Sequence, residues 1–387
     1  MADQRTAAAV RAMGWEIRVL SIPLKTPVRW AGHSENHINV VLLDVRMTNG
    51  ARGVAEMAVR PKWHGEDVEG LVHALDQRLL PALKVRNWRD ATAFDSVFDA
   101  EKHSALARSL TDMARQDVLA QTAGLPLQAF LMETGGWQRQ SIPQSAKFSC
   151  TITRAAPDAM AQDAIRLQDT TGARAFKVKT GQGLGTDRSA VASIRSVAGA
   201  QALLSADSNS AGTPETLGPM SEMLAGHDVR WFEDPCRLFA DKRFAPIAAS
   251  SQLPVLVDNA CRSLEAADRF LRLGAAGLSV KIMKTGIAES IAIAHQAGQA
   301  GARITVGICA STALSATYSL CLFAGLPDQL KAMPCEETFF VNLAADIFQT
   351  PLQFSNGSIL LPSAGPLADK IDWRAIDVLT SARIASI

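Results

Sequence analysis

Four short runs decide the fold: Ala173–Lys179 reads ARAFKVK, Ala202–Asp207 ALLSAD, Val229–Glu233 VRWFE and Pro254–Asp258 PVLVD. Each is five to seven residues of strand-forming character, and each ends on a charge: a lysine, then three acids. The same rhythm extends back to Lys147–Ile152 and forward to Leu278–Met283, Arg303–Ile308 and Gln329–Pro334, at intervals of roughly 24–28 residues. Helical segments fill the gaps, among them Asp158–Thr170, Thr213–Ala225, Ser263–Leu273 and Ala288–Ala300. Eight strands alternating with helices predict an α/β protein built on a (β/α)8 barrel. A doubly wound open sheet is the competing arrangement, but no G-x-G-x-x-G follows an early strand and no P-loop is present.

The first third has another texture. Trp15–Pro23, His37–Met47 (with the run INVVLLDV) and Gly53–Ala58 read as strands, with Gly50 at a turn. Helical spacing follows over Ala91–Leu110, Ala114–Ala123 and Leu127–Thr134. The expected division is an α+β domain over 1–136, the barrel over 137–353, and a segment over 354–387 that returns to the first domain.

Composition excludes several classes. With 39 Lys and Arg against 38 Asp and Glu, the 387-residue chain has a net charge of +1 and no field to hold nucleic acid or an anionic membrane. The stretch Ala313–Leu326 is interrupted by Ser, Thr and Tyr and falls short of a spanning helix. The start, MADQRTAAAVRAMGWE, lacks a secretory apolar core. Six cysteines without a C-x-x-C pair are expected as reduced, buried thiols in a cytoplasmic protein.

The chemistry is expected at the C-terminal ends of the barrel strands. Asp207, Glu233 and Asp258 end three consecutive strands, 26 and 25 residues apart. One such acid alone can cap a helix or pair with an arginine. Three at equivalent positions repel each other unless a cation intervenes, and hard oxygen ligands with room for water and a substrate carboxylate suit Mg²⁺. Lys177 and Lys179, two apart on one strand, point to one face, where neighbouring ammonium groups are expected to depress each other's pKa and yield a base. Lys281, in SVKIMKTG, approaches from the opposite wall, and Lys284 in the same run is expected to face the helices or solvent.

Taken in order, K-x-K (Lys177, Lys179), D-x-N (Asp207, Asn209), E-x-P (Glu233, Pro235), Asp258 and K-I-M-K-T-G from Lys281 resemble the enolase superfamily, in particular the muconate lactonizing enzyme (muconate cycloisomerase) subgroup of the mandelate racemase/muconate lactonizing enzyme family. The resemblance spans almost the whole chain and implies that the first domain caps the barrel. It also implies Mg²⁺, or Mn²⁺ in its place, held by Asp207, Glu233 and Asp258, with Asn209 supporting them. Lys179 would move a proton at the carbon α to the substrate carboxylate, Lys281 would help stabilise the enediolate, and Lys177 would hold down the pKa of Lys179. Glu336 aligns with an acid on strand eight, although the adjacent Glu337 leaves that assignment open. The resemblance further implies a homo-oligomer.

Two departures bear on substrate. Asn259 follows the third acid where the family often has a carboxylate, and Gly307–Thr312 (GICAST) carries none, which predicts a less acidic site. Substrate choice is expected from the loop Thr26–His37 (TPVRWAGHSENH), where Arg29, Trp30, His33, Ser34 and His37 are candidates, and from a second flap at Arg60–His64 (RPKWH). The sequence favours a cycloisomerase acting on a small carboxylate. A racemase or epimerase of an N-acyl amino acid, dipeptide or proline derivative uses the same lysines, a dehydratase is a third option, and a barrel-scaffold binding protein is the non-enzymatic alternative.

Overall fold

Three strands open the chain in the computed structural model, which describes residues 8–30, 33–100, 104–138 and 140–386. Strands β1 (Ala12–Trp30), β2 (His33–Met47) and β3 (Arg52–Val59) form an antiparallel sheet. Pairing of β1 with β2 runs from Ala12↔Met47 to Trp30↔His33, so much of the stretch expected as a polar loop over Thr26–His37 is a hairpin extension. The register shifts between Pro23 and Val28, where Pro27 has no N–H to give. The helix expected over Ala91–Leu110 is two: one spans Ala91–Ala100, and another runs over Ala105–Ala123. Ser104 starts the second, its hydroxyl accepting from Ala107 N at 3.0 Å, a capping contact that overrides the continuous apolar spacing. Helix Ala105–Ala123 lies so close on the sheet that a Cβ at Gly53 would stand 2.5 Å from Ala114 O.

The barrel follows. Strand β4 (Ser145–Lys147) sits at its rim, and β5 (Cys150–Ile152), β6 (Ala175–Lys179), β7 (Leu203–Asp207), β8 (Val229–Glu233), β9 (Val255–Val257), β10 (Gly277–Val280) and β11 (Arg303–Val306) form one parallel sheet in chain order. These strands are buried on both faces, as a barrel wall between side-chain core and helices requires. The eighth strand expected over Gln329–Pro334 is absent as a regular strand. Asp328–Leu330 is a 3-10 turn, and closure is made by single bonds: Ala332 N to Ile304 O (2.8 Å), Glu336 N to Val306 O (3.0 Å), Cys335 N to Lys147 O (3.1 Å) and Ser149 N to Cys335 O (2.8 Å). Pro334 lacks the N–H a ladder would need.

Strands β12 (Phe354–Ser355) and β13 (Ser358–Leu360) pair onto β4, and β14 (Thr380–Ser386) adds antiparallel to the outer edge of β1. All six cysteines are free and buried. No helix among the described residues is long and apolar enough to cross a membrane.

The helix after β10 shows how the two parts interlock. It spans Ile282–Gln299 but breaks at Gly286 (φ +69°), and the restarted helix gives Ile287 N and Ala288 N to Asp112 Oδ2 at 2.6 and 2.9 Å. Asp112 belongs to helix Ala105–Ala123. Glycine at 286 serves both the left-handed turn and the approach of that carboxylate, because a Cβ would stand 2.8 Å from it.

Candidate active site

Parallel register sets the acids level with one another: Lys179 pairs with Asp207 and Asp207 with Glu233 at the ends of β6, β7 and β8. Asp258 follows β9 directly, and Lys281 follows β10. Lys179 Nζ donates to Asp207 Oδ2 at 2.5 Å, and Lys281 Nζ to Asp258 Oδ2 at 2.6 Å. Lys177, fully buried, donates to Glu233 Oε1 (2.7 Å) and Glu336 Oε2 (2.8 Å) and lies 3.5 Å from Asp207.

These contacts run against the expected depression at Lys177. Burial alone lowers an ammonium pKa, but Glu233, Glu336 and Asp207 outweigh it and drive Lys177 well above its ordinary value. Lys177 is a counter-ion for the acids. Among the acids, burial opposes ionisation throughout. At Asp207 the ammonium groups of Lys179 and Lys177 overcome it and bring the pKa down to about 2. At Asp258, Lys281 and Lys284 also outweigh burial and hold the carboxyl well below its ordinary value. At Glu233 burial wins, reinforced by Asp207, Glu336 and Asp258, and its pKa is pushed well up.

Lys284 also differs from expectation. It donates to Asp258 Oδ1 and to Asp258 O, both at 2.8 Å, and lines the cavity. The break at Gly286 frees the preceding turn to fold back onto Asp258, a geometry a continuous helix would not give. Asn209, at φ +46°, gives its backbone N–H to Asp207 Oδ1 (2.7 Å) and its amide to Oδ2 (3.1 Å). Asp234 was not anticipated. At φ +38°, its carboxylate accepts Asp258 N (3.0 Å) and Asn259 N (2.8 Å), which fixes the turn that presents Asp258. Arg154, also missed, gives Nε to Thr180 O and Nη2 to Ser208 O, both at 2.6 Å, binding together the turns beyond Lys179 and Asp207. Glu336 faces Lys177, whereas Glu337 turns away to Cys309 N (2.9 Å) and Ser319 Oγ (3.0 Å).

From the capping side, Glu56 at the barrel-facing surface of β3 accepts from Ser311 Oγ (2.6 Å), Thr312 Oγ1 (2.7 Å), Thr312 N (3.1 Å) and Ser315 N (2.9 Å). The segment that lacks its own acid therefore receives one from the other domain. Arg60–His64 lines a cavity of about 1050 Å³ through Lys62, Trp63 and His64, opposite Lys179, Asn209, Asp258 and Lys281. Ser34 and His37 are exposed. The side chains of Arg29, Trp30 and His33 lie outside the described residues.

Five carboxyl groups (Asp207, Glu233, Asp234, Asp258, Glu336) meet four ammonium groups (Lys177, Lys179, Lys281, Lys284) in this cluster. No ready-made cage of three His, Cys, Asp or Glu ligands stands among the described residues, each strand-end acid being turned onto a lysine. The all-oxygen donors on three adjacent strand ends fit a hard divalent cation.

Residues 159–368, more than half the chain, match the enolase C-terminal domain-like family. The chain belongs to the enolase superfamily, in its mandelate racemase/muconate lactonizing enzyme family. A hydrophobic dipeptide epimerase of Citrifermentans bemidjiense is 28% identical over 360 residues, 90% of this chain and 94% of the relative. Other curated relatives are named as a D-Ala-D/L-Ala epimerase, an aromatic dipeptide epimerase, an N-succinyl-L-Arg/Lys racemase and a muconate cycloisomerase. Among solved structures, a muconate lactonizing enzyme from Mucobacterium Smegmatis superposes with a TM-score of 0.87 at 23% identity, covering 97% of this chain and all of that one. A dipeptide epimerase from Cytophaga hutchinsonii, complexed with Mg and the dipeptide D-Ala-L-Val, gives 0.85 at 22% identity, covering 98% and 100%. This superfamily member is an enzyme of the isomerase class.

Proposed function

We propose that this isomerase is a racemase or epimerase that moves a proton at the carbon next to a substrate carboxylate, in an N-acylated amino acid, dipeptides included. The observation that carries the reading is the placement of Lys179 and Lys281. Both line the cavity, and the three acid-bearing strand ends lie between them in the sheet. A base on each side of the reacting carbon lets one lysine take a proton from one face while the other returns one to the opposite face. Asp207, Glu233 and Asp258 would hold Mg²⁺, or Mn²⁺ in its place, and such an ion would polarise the substrate carboxylate and acidify the adjacent C–H. Lys177 fixes Glu233 and Glu336, Lys284 fixes Asp258, and Asn209 fixes Asp207.

The cycloisomerase reading favoured by the sequence needs one mobile proton. It yields to the two-base reading because most of the curated relatives are epimerases or racemases.

The test is α-deuterium incorporation in D₂O from each enantiomer of a panel of N-acyl amino acids and dipeptides, with Mg²⁺ present. Both enantiomers should exchange with the parent enzyme, and thorough chelation should stop the exchange. Lys281→Ala should retain exchange from one enantiomer only, and Lys179→Ala from the other. If Lys179→Ala abolishes exchange from both enantiomers while Lys281→Ala merely slows both, a single base is at work and the cycloisomerase reading returns.

A further inference from the structure

Six hydroxyl oxygens among the described residues are buried without a hydrogen-bond partner, and four of them, on Ser149, Thr151, Ser279 and Thr305, belong to the inside of the barrel. Register fixes their direction. Thr151 on β5 pairs with Lys177 on β6, whose ammonium reaches Glu233 and Glu336 across the interior, and Ser149 stands two places earlier on the same side. The intervening Cys150 points outward, its Sγ 3.9 Å from Thr171 Oγ1 at the end of helix Pro157–Thr171. Ser279 on β10 stands two places before Lys281, which closes on Asp258, and it pairs with Thr305 on β11. A Cβ at Gly307 would stand 2.9 Å from Ser279 Oγ, which sets that hydroxyl against the end of β11.

These hydroxyls therefore stand on either side of the irregular eighth stave, where a ladder is replaced by single bonds at Ala332, Cys335 and Glu336. Bulky branched side chains ordinarily fill a barrel at this depth. Here short hydroxyl side chains and a missing strand leave room, and Thr151 stays half-buried although its Oγ1 is covered. Beneath them the floor is apolar. Trp231, Leu256 and Met333 form a cluster apart from the main core, and a Cβ at Gly277 would stand 2.8 Å from both Trp231 and Leu256. One unpaired hydroxyl in such an interior is a local cost, but four along one seam call for a shared partner.

We propose that this seam is a water site, in which a small cluster of buried water molecules is held by the hydroxyls of Ser149, Thr151, Ser279 and Thr305. Each hydroxyl can donate and accept, and a buried water takes two to four such partners. A monovalent cation suits the seam less well, because the hydroxyls are neutral and Thr151 neighbours the Lys177 ammonium. The water joins β5 to β10 and β11 across the stave, so closure of the barrel relies on side-chain bridges as well as on a few backbone bonds. The assignment stands apart from the racemase reading.

The test combines isosteric variants with high-resolution crystallography of the Mg²⁺-loaded enzyme. Valine in place of threonine removes the hydroxyl and keeps the shape. Thr151→Val and Thr305→Val should each lower the melting temperature by about 1 °C, the effect of roughly one lost hydrogen bond in a chain of this length. Amide exchange over residues 331–336, followed by mass spectrometry, should quicken in the double variant. The parent crystals should show ordered water within hydrogen-bond reach of at least two of the four hydroxyls. In a dry seam valine instead relieves an unpaired polar group, so variants that melt at or above the parent overturn the proposal, as does a map with no water there. An anomalous peak in the seam after soaking with Rb⁺ overturns it too, because a monovalent cation is then the occupant.

Discussion

Replacing Lys177 by methionine keeps the length and apolar stem of the side chain and deletes one buried charge. In the parent structure that charge faces Glu233 at 2.7 Å, Glu336 at 2.8 Å and Asp207 at 3.5 Å. At an effective dielectric of about 20, each of the two short pairs is worth about 6 kcal/mol of attraction, most of it offset by the cost of taking the ions out of water. Removing one partner of a buried pair leaves the other uncompensated, and the net loss is about 3–5 kcal/mol. Unfolding entropy of about 2.1 cal/mol/K per residue gives ~0.8 kcal/mol/K for this chain, so the melting temperature should fall by roughly 4–6 °C. The loss should depend on pH in a definite sense. Without Lys177 the ionised carboxylates of the folded cluster lose a stabilising positive charge, so the deficit is largest near pH 7.5 and shrinks toward pH 5 as carboxylates take up protons. Mg²⁺ should narrow it as well, by supplying positive charge to the same acids. Differential scanning calorimetry at the two pH values, with and without Mg²⁺, reads all three effects. A variant that melts within about 1 °C of the parent at pH 7.5 would refute the assignment of Lys177 as the counter-ion of this cluster.

Two further outcomes are expected. Glu337, buried against Cys309 N and Ser319 Oγ, has its carboxyl pushed up to about 7 from an ordinary 4.5, first by burial. A raised pKa contributes stability that is complete below about pH 4.5 and lost as pH rises through 7, so the stability of the parent relative to Glu337→Gln, followed by chemical denaturation, should decline across that window. Glu56→Ala should cost about 2–4 kcal/mol in the same assay, because it strips a helix start of its acceptor and leaves buried hydroxyls unpaired; Glu56→Gln, which retains an acceptor, should cost less than half as much.

The barrel wall was legible because its strands are buried on both faces and recur at a steady interval, and the acid cluster of the candidate site was legible because Asp207, Glu233 and Asp258 fall at equivalent places in that interval. The eighth stave was misread because its backbone bonds alternate between β11 and residues 147–149, a pattern with no side-chain periodicity to announce it. The strand pairing within Thr26–His37 looked like a loop because Thr26, Ser34, Glu35, Asn36 and His37 are polar and none of the side chains described there is buried to impose alternation. Glu56 could not be told from a solvent-facing strand carboxylate, since its partner Ser311 lies 255 residues further on. Lys284 was assigned to the wrong side because the run reads as helix, whereas the turn at Gly286 redirects it. A glycine two places beyond a lysine was the available clue.

Two barrel helices borrow their beginnings. The one starting at Ala313 opens on Glu56, and the one resuming at Ile287 opens on Asp112, and both acids come from the first domain. An excised barrel would therefore present bare N–H groups at those two points, one of them six residues beyond Lys281. The division between cap and barrel is a boundary in topology without being a boundary in folding. Grafting a foreign cap onto this barrel would have to carry over these two carboxylates, or the turn beyond Lys281 would lose the acceptor that holds it.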